Sequence, residues 1–142
     1  MGGDPAYAGL GMAMGRRSKI SILVVENNAP ACELVCDSLN ALGYIAKGVT
    51  TAEEALKLLH SEPFDILLTD IELPDMSGLP LARVAISFNP LTRIIFASKS
   101  GYLVADRETF DFDLVRKPYR VRDITQILKR HASFDSDERK SA

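Results

Sequence analysis

Between Lys19 and Ala132 short apolar runs alternate with segments of helical periodicity, and this alternation confines the chain to very few architectures. Ile20 to Val25 (ISILVV) is almost wholly apolar, as a strand covered on both faces must be. It leads into Asn28, a helix-capping residue, then Pro30 near the first helical position. Leu34, Val35, Leu39 and Leu42 recur at helical spacing until Gly43 ends the segment. Tyr44 to Val49 reads as a second strand, and Thr51 with Glu54 forms a capping box ahead of Ala55, Leu58 and Leu59. Phe64 to Thr69 (FDILLT) is a third strand running into Asp70, after which Pro74 and Gly78 break the chain before an apolar helix from about Leu79 to Phe88. Leu91 to Ala97 (LTRIIFA) reads as strand four and Leu114 to Arg116 as a short strand five. Val121, Ile124, Ile127 and Leu128 give the last helix its buried face. Right-handed crossovers then leave few topologies, and the expected one is an α/β fold with a single doubly wound, five-stranded parallel sheet in three αβα layers; ligands of such sheets bind at the carboxyl ends of the strands.

The flanks differ in character. Met1 to Arg17 holds five of the nine glycines and no sustained apolar period, so residues 1–18 are expected to be a flexible extension, and the polar run 133–142 a flexible tail. Residues 19–132 are the expected domain. A formal charge of −2 offers no basic excess for a polyphosphate backbone, which argues against nucleic acid as a direct partner. No apolar run approaches the roughly 20 residues of a membrane helix, and the stretch after Arg16 and Arg17 is too short for a twin-arginine export signal. Cys32 and Cys36 lie four apart within a helical segment, where a mutual disulfide would be strained and no histidine stands near to complete a metal site. They read as buried small apolar residues, and a cytoplasmic setting is expected. His60 and His131 sit near helix ends and are assigned no ligand role.

The strand ends carry a polar set: Glu26 and Asn27 after strand one, Asp70 after strand three, Ser98 after strand four and Lys117 after strand five. The segments ILVVENN, LLTDIELPDMSG, IIFAS and VRKPY that hold them resemble the receiver domain of bacterial response regulators, the CheY-like family with a flavodoxin-like fold. The resemblance covers essentially Lys19 to Ala132. It implies phosphorelay signalling, in which Asp70 accepts a phosphoryl group from a sensor histidine kinase or a histidine phosphotransfer protein. It further implies that Mg2+ is held by Glu26, Asn27, Asp70 and the backbone carbonyl of Glu72, to offset repulsion between two anions. Lys117 and Ser98 would contact phosphoryl oxygens, and the bond before Pro118 would be cis. Taken singly, each residue has an ordinary alternative as a cap, a turn or a solvated cation. Their joint occurrence at successive strand ends carries the argument.

Several positions depart from the family pattern. Asn27 replaces a metal-binding aspartate and removes one formal charge, so Mg2+ is expected to bind weakly. Lys99 stands where a small residue is usual, and either hinders phosphoryl entry or neutralises Asp70. The stretch between Ser98 and Lys117 is short, so the fourth helix is expected to be shortened or irregular. With FASKSGY and KPY it is similar to the FAT GUY subgroup of stand-alone receivers. Leu114 occupies the place of the usual switch aromatic. The resemblance, with no further domain read after Ala132, implies a non-enzymatic module that signals to a downstream protein or a second copy, through a face that includes Phe96, Tyr102 and Tyr119. Two alternatives stand beside this reading: a degenerate receiver acting without phosphorylation, and a small flavodoxin-like enzyme or nucleotide binder. Against the latter, ENNAPA has no glycine-rich phosphate cradle.

Overall fold

The structure, a computed structural model, describes residues 19–100 and 109–130. In chain order it contains β1 (Ser21–Val25), α1 (Ala29–Ala41), β2 (Ile45–Val49), α2 (Ala52–Ser61), β3 (Ile66–Asp70), α3 (Gly78–Phe88), β4 (Arg93–Ser98) and β5 (Asp113–Arg116). A final helix, α4, occupies residues 121–130. All strand pairs are parallel and the sheet order is β2-β1-β3-β4-β5. The order reverses between β1 and β3, the switch point at which sheets of this kind open a crevice. This is the expected doubly wound sheet. The expected ends at 1–18 and 133–142, and the expected reduced helix after Ser98, fall mostly on residues outside those described.

The apolar strands serve two cores. Ile22 and Val24 of β1 pack toward α1 and α4 with Ile66, Leu68, Ile95 and Ile124. Their neighbours Leu23 and Val25 pack toward α2 and α3 with Leu67, Ile94, Phe96 and Leu81. Period-two side-chain alternation is what sends successive residues to opposite faces, each large aliphatic contributing about 1.5–3 kcal/mol when fully buried.

Local signals fix most helix ends. The Asn28 side chain accepts from Ala31 N–H at 2.9 Å to start α1, and Gly43 follows the helix at φ 101°, a conformation open to glycine. Thr51 Oγ1 accepts from Glu54 N–H at 3.2 Å, while the Glu54 carboxylate reaches Thr50 N–H at 3.2 Å, one residue earlier than a standard capping box. Asp75, from the loop after β3, adds a cap unannounced in the sequence by accepting from Ala52 and Glu53 N–H at 3.0 and 2.9 Å.

Two sequence expectations are corrected. Leu34 and Leu42 are exposed rather than buried, because α1 turns Cys32, Val35, Cys36 and Leu39 toward the sheet. Phe96 cannot be a surface contact: it is fully buried between β4 and the α2/α3 layer, with Phe112 at 5.3 Å between ring centroids. Tyr119 is partly buried against the other core, and Tyr102 lies outside the described residues. Both cysteines are free and buried, and His60 stacks edge-on against Phe88 at 5.7 Å. Among the described residues no helix is long and apolar enough to cross a membrane.

Candidate functional site

Backbone hydrogen bonds carry the sheet one residue beyond its strands and thereby place the polar set. Glu26 N–H donates to Val49 O at 3.1 Å, Ile71 N–H to Ala97 O at 3.0 Å and Lys117 N–H to Ser98 O at 3.0 Å. The helix after the Asp70 loop comes in very close. Gly78 donates its N–H to Ile71 O at 2.8 Å, and a Cβ at Gly78 would overlap the carbonyl oxygen of Asp70. The glycine of DMSG is therefore required by the approach of α3 to the strand end.

Glu26 and Asp70 are 3% and 2% exposed, and the Lys117 ammonium lies between them, 3.0 Å from Glu26 Oε1 and 3.0 Å from Asp70 Oδ1. The backbone N–H of Asn27 donates to Asp70 Oδ2 at 3.1 Å, and that of Asn28 to Glu26 Oε2 at 3.0 Å. Two buried carboxylates share one ammonium. Burial raises the Asp70 carboxyl to about 6, against the pull of the Asn27 N–H and of Lys117, with Glu26 adding repulsion. Burial alone would lower Lys117, but hydrogen bonds and charges from Asp70 and Glu26 outweigh it and hold the ammonium above its ordinary value. One cation facing two anions gains from both, while Asp70 shares that cation with a second carboxylate.

The structure thus brings Glu26, Asp70 and Lys117 into direct contact, and the Lys117–Pro118 bond is cis. Glu26, Asn27, Glu72, Lys99, Ser100 and Lys117 line a cavity of about 580 Å3 at this rim. Ser98 is fully buried beside it, its hydroxyl donating to Glu72 Oε2 at 3.0 Å and accepting from Ser100 N–H at 3.0 Å. Sequence reasoning singled out Glu72 and Ser100 through the family resemblance but missed the bond between Glu72 and Ser98, because nothing local links residues 26 positions apart, and it missed the amides of Asn27 and Ser100, which carry no residue signature. Leu114 is partly buried against the α2/α3 core.

For a divalent cation the donor set is chemically suitable, since Glu26 and Asp70 offer carboxylates and Asn27 an amide, all hard oxygen ligands beside an open cavity. It is also lean in charge: among the described residues no group of three or more His, Cys, Asp or Glu side chains could hold a metal.

A parallel sheet that sets two carboxylates, a lysine and a buried hydroxyl at its strand ends makes this a doubly wound α/β domain with an acid-rimmed site. The response regulator receiver domain matches residues 22–129, more than half of the sequence, and the chain belongs to that family. It is 28% identical over 112 residues to the response regulator receiver protein CpdR of Brucella abortus, covering 77% of this chain and 93% of CpdR. It is 28% identical over 127 residues to the response regulator protein PilR of Pseudomonas aeruginosa, covering 85% of this chain but only 28% of PilR. Among solved structures it is similar to a CheY-like receiver domain protein from Methanospirillum hungatei, with a TM-score of 0.76, 27% identity and coverage of 85% of this chain and 99% of that one. It is also similar to the response regulator TrrA of Thermotoga maritima, solved in complex with Mg(2+)-BeF, with a TM-score of 0.69, 27% identity and coverage of 78% and 97%. Membership places the chain in two-component phosphorelay signalling.

Proposed function

We propose that this receiver takes a phosphoryl group on Asp70 from a phosphohistidine of a sensor histidine kinase or histidine phosphotransfer protein, and signals onward by protein contact. The observation that carries the reading is the buried Asp70 carboxylate held with Glu26 around Lys117 at the open rim. An Asp70 oxygen attacks phosphorus and the P–N bond breaks. Its electron pair returns to the imidazole nitrogen, which takes up a proton, and an acyl phosphate remains on Asp70. Lys117, 3.0 Å from Asp70 Oδ1, would pair with the added charge, and the Ser98 hydroxyl would donate to a phosphoryl oxygen once it leaves Glu72. Glu26, Asn27, Asp70 and the Glu72 carbonyl would hold Mg2+. Such an ion supplies positive charge between attacking and incoming anions.

On this reading the chain assists only its own phosphorylation and dephosphorylation. The FASKSGY and KPY runs support a receiver of the FAT GUY subgroup, acting in the cytoplasm on this reading. Its output is to a downstream protein or a second copy of itself. One observation favours a second reading, a module that signals unphosphorylated: the lean donor set left by Asn27. Incubation with acetyl phosphate and Mg2+, followed by intact mass, decides between them. Addition of one phosphoryl mass to the wild type and none to Asp70→Asn is expected; no addition to the wild type refutes the phosphoacceptor role.

A further inference from the structure

The one proton of the Ser98 hydroxyl is already committed. Ser98 is fully buried, its Oγ accepts from Ser100 N–H at 3.0 Å, and its O–H donates to Glu72 Oε2 at 3.0 Å. A hydroxyl has a single donor, so it cannot also serve a phosphoryl oxygen while Glu72 holds it. Glu72 is exposed, its segment is tied back by a bridge to Ser77, and it lines the same cavity as Glu26 and Lys117.

We infer that Glu72 is a positioning residue acting through Ser98: in the resting protein its carboxylate occupies the acceptor place that a phosphoryl oxygen takes after transfer. Phosphorylation then exchanges one anion for another on the same proton, and Glu72 is released to solvent. The inference rests on the phosphoacceptor reading above and adds an internal competitor that sets how readily the site fills. A charge-assisted hydrogen bond of this kind is worth about tenfold in an equilibrium constant when the released carboxylate is rehydrated.

The probe is trifluoroberyllate with Mg2+, titrated by calorimetry into the full chain. Glu72→Ala is expected to tighten its binding about tenfold, and Glu72→Gln, which keeps a neutral acceptor for Ser98, by a smaller factor. In a Ser98→Ala background Glu72→Ala should leave the affinity unchanged. An equal gain in both backgrounds would make Glu72 merely a nearby negative charge and overturn the inference; so would no gain with Ser98 present. A second readout needs no ligand. Ser98 accepts more strongly from Ser100 N–H while an anion draws its own proton, so the Ser100 amide resonance should move upfield in Glu72→Ala. An unmoved resonance would refute the contact. Wild type and Asp70→Asn that bind trifluoroberyllate equally would instead sink the phosphoacceptor reading, with the amide test still judging Glu72.

Discussion

Asp70→Asn should make this protein more stable at neutral pH. The wild-type carboxyl is 2% exposed and is raised from 3.8 to about 6, first by loss of water and then by Glu26, against the pull of Asn27 N–H and Lys117. A group whose folded-state pKa is raised binds its proton more tightly in the native state. Its stabilisation is fully present below 3.8 and is lost as the pH rises through about 6. At about 1.4 kcal/mol per pH unit, the ionised carboxylate costs about 3 kcal/mol above that range. Asparagine imitates the neutral form, keeps an acceptor for the Asn27 N–H and leaves Lys117 its partner Glu26. The expected gain is about 2–3 kcal/mol at about pH 8, shrinking toward zero near pH 4. Urea unfolding followed by circular dichroism, with a chelator present to remove divalent cations, measures it across that range. A variant no more stable than the wild type at about pH 8, or a gap that persists in acid, would refute the argument.

Gly78→Ala forces a methyl group into the Asp70 carbonyl, so a loss of about 1–3 kcal/mol in urea unfolding is expected, with phosphorylation slowed in parallel. An unchanged midpoint would mean that α3 is free to draw back. The Asp75 carboxyl is held below 3.8 by the Ala52 and Glu53 amides, so its contribution is present above that value and lost as the pH falls through its lowered one. Asp75→Asn should therefore be less stable than the wild type at neutral pH, with a gap that closes only in strong acid; a pH-independent gap would exclude a charged cap. Asn27→Asp adds the missing carboxylate and should tighten Mg2+ in a calorimetric titration, and an unchanged affinity would reject the view that ligand charge limits the site.

Much of the fold was legible because the strands of a covered parallel sheet are nearly continuous apolar runs, and because Asn28, Thr51 and Gly43 mark helix ends through their own chemistry. Strand limits shifted by one or two residues, as at β3, where Asp70 itself is the last strand residue. The errors have a physical source. In α1 apolar residues cover more than one face, and periodicity alone does not tell Leu34 and Leu42 from the Cys32, Val35, Cys36 and Leu39 arc that meets the sheet. Phe96 resembles a surface aromatic because the sequence does not show which face of β4 it occupies, and that face is closed by the α2/α3 layer and by Phe110 and Phe112. The charged site was readable because each member ends a strand. The contacts of Glu72 and Asp75 were not, since each depends on how the loop after β3 folds back across distant parts of the chain.

The charge imbalance at the rim links these points. Nothing in packing requires Asp70 to be ionised beside Glu26 with one ammonium between them, and a neutral residue would serve the core better. A centre kept short of positive charge is suited to take up a cation and, with it, a transferable anion, since both the ion and the ammonium then work against a deficit already present. Asn27 lowers the demand for the cation, and Glu72 raises the competition for the hydroxyl. Asn27 and Glu72 therefore bear on the two sides of one electrostatic balance. A double variant carrying Asn27→Asp and Glu72→Ala should fill with trifluoroberyllate and Mg2+ more readily than either single variant. If the double variant gains no more than the better single one, metal and hydroxyl do not act on the same bound state.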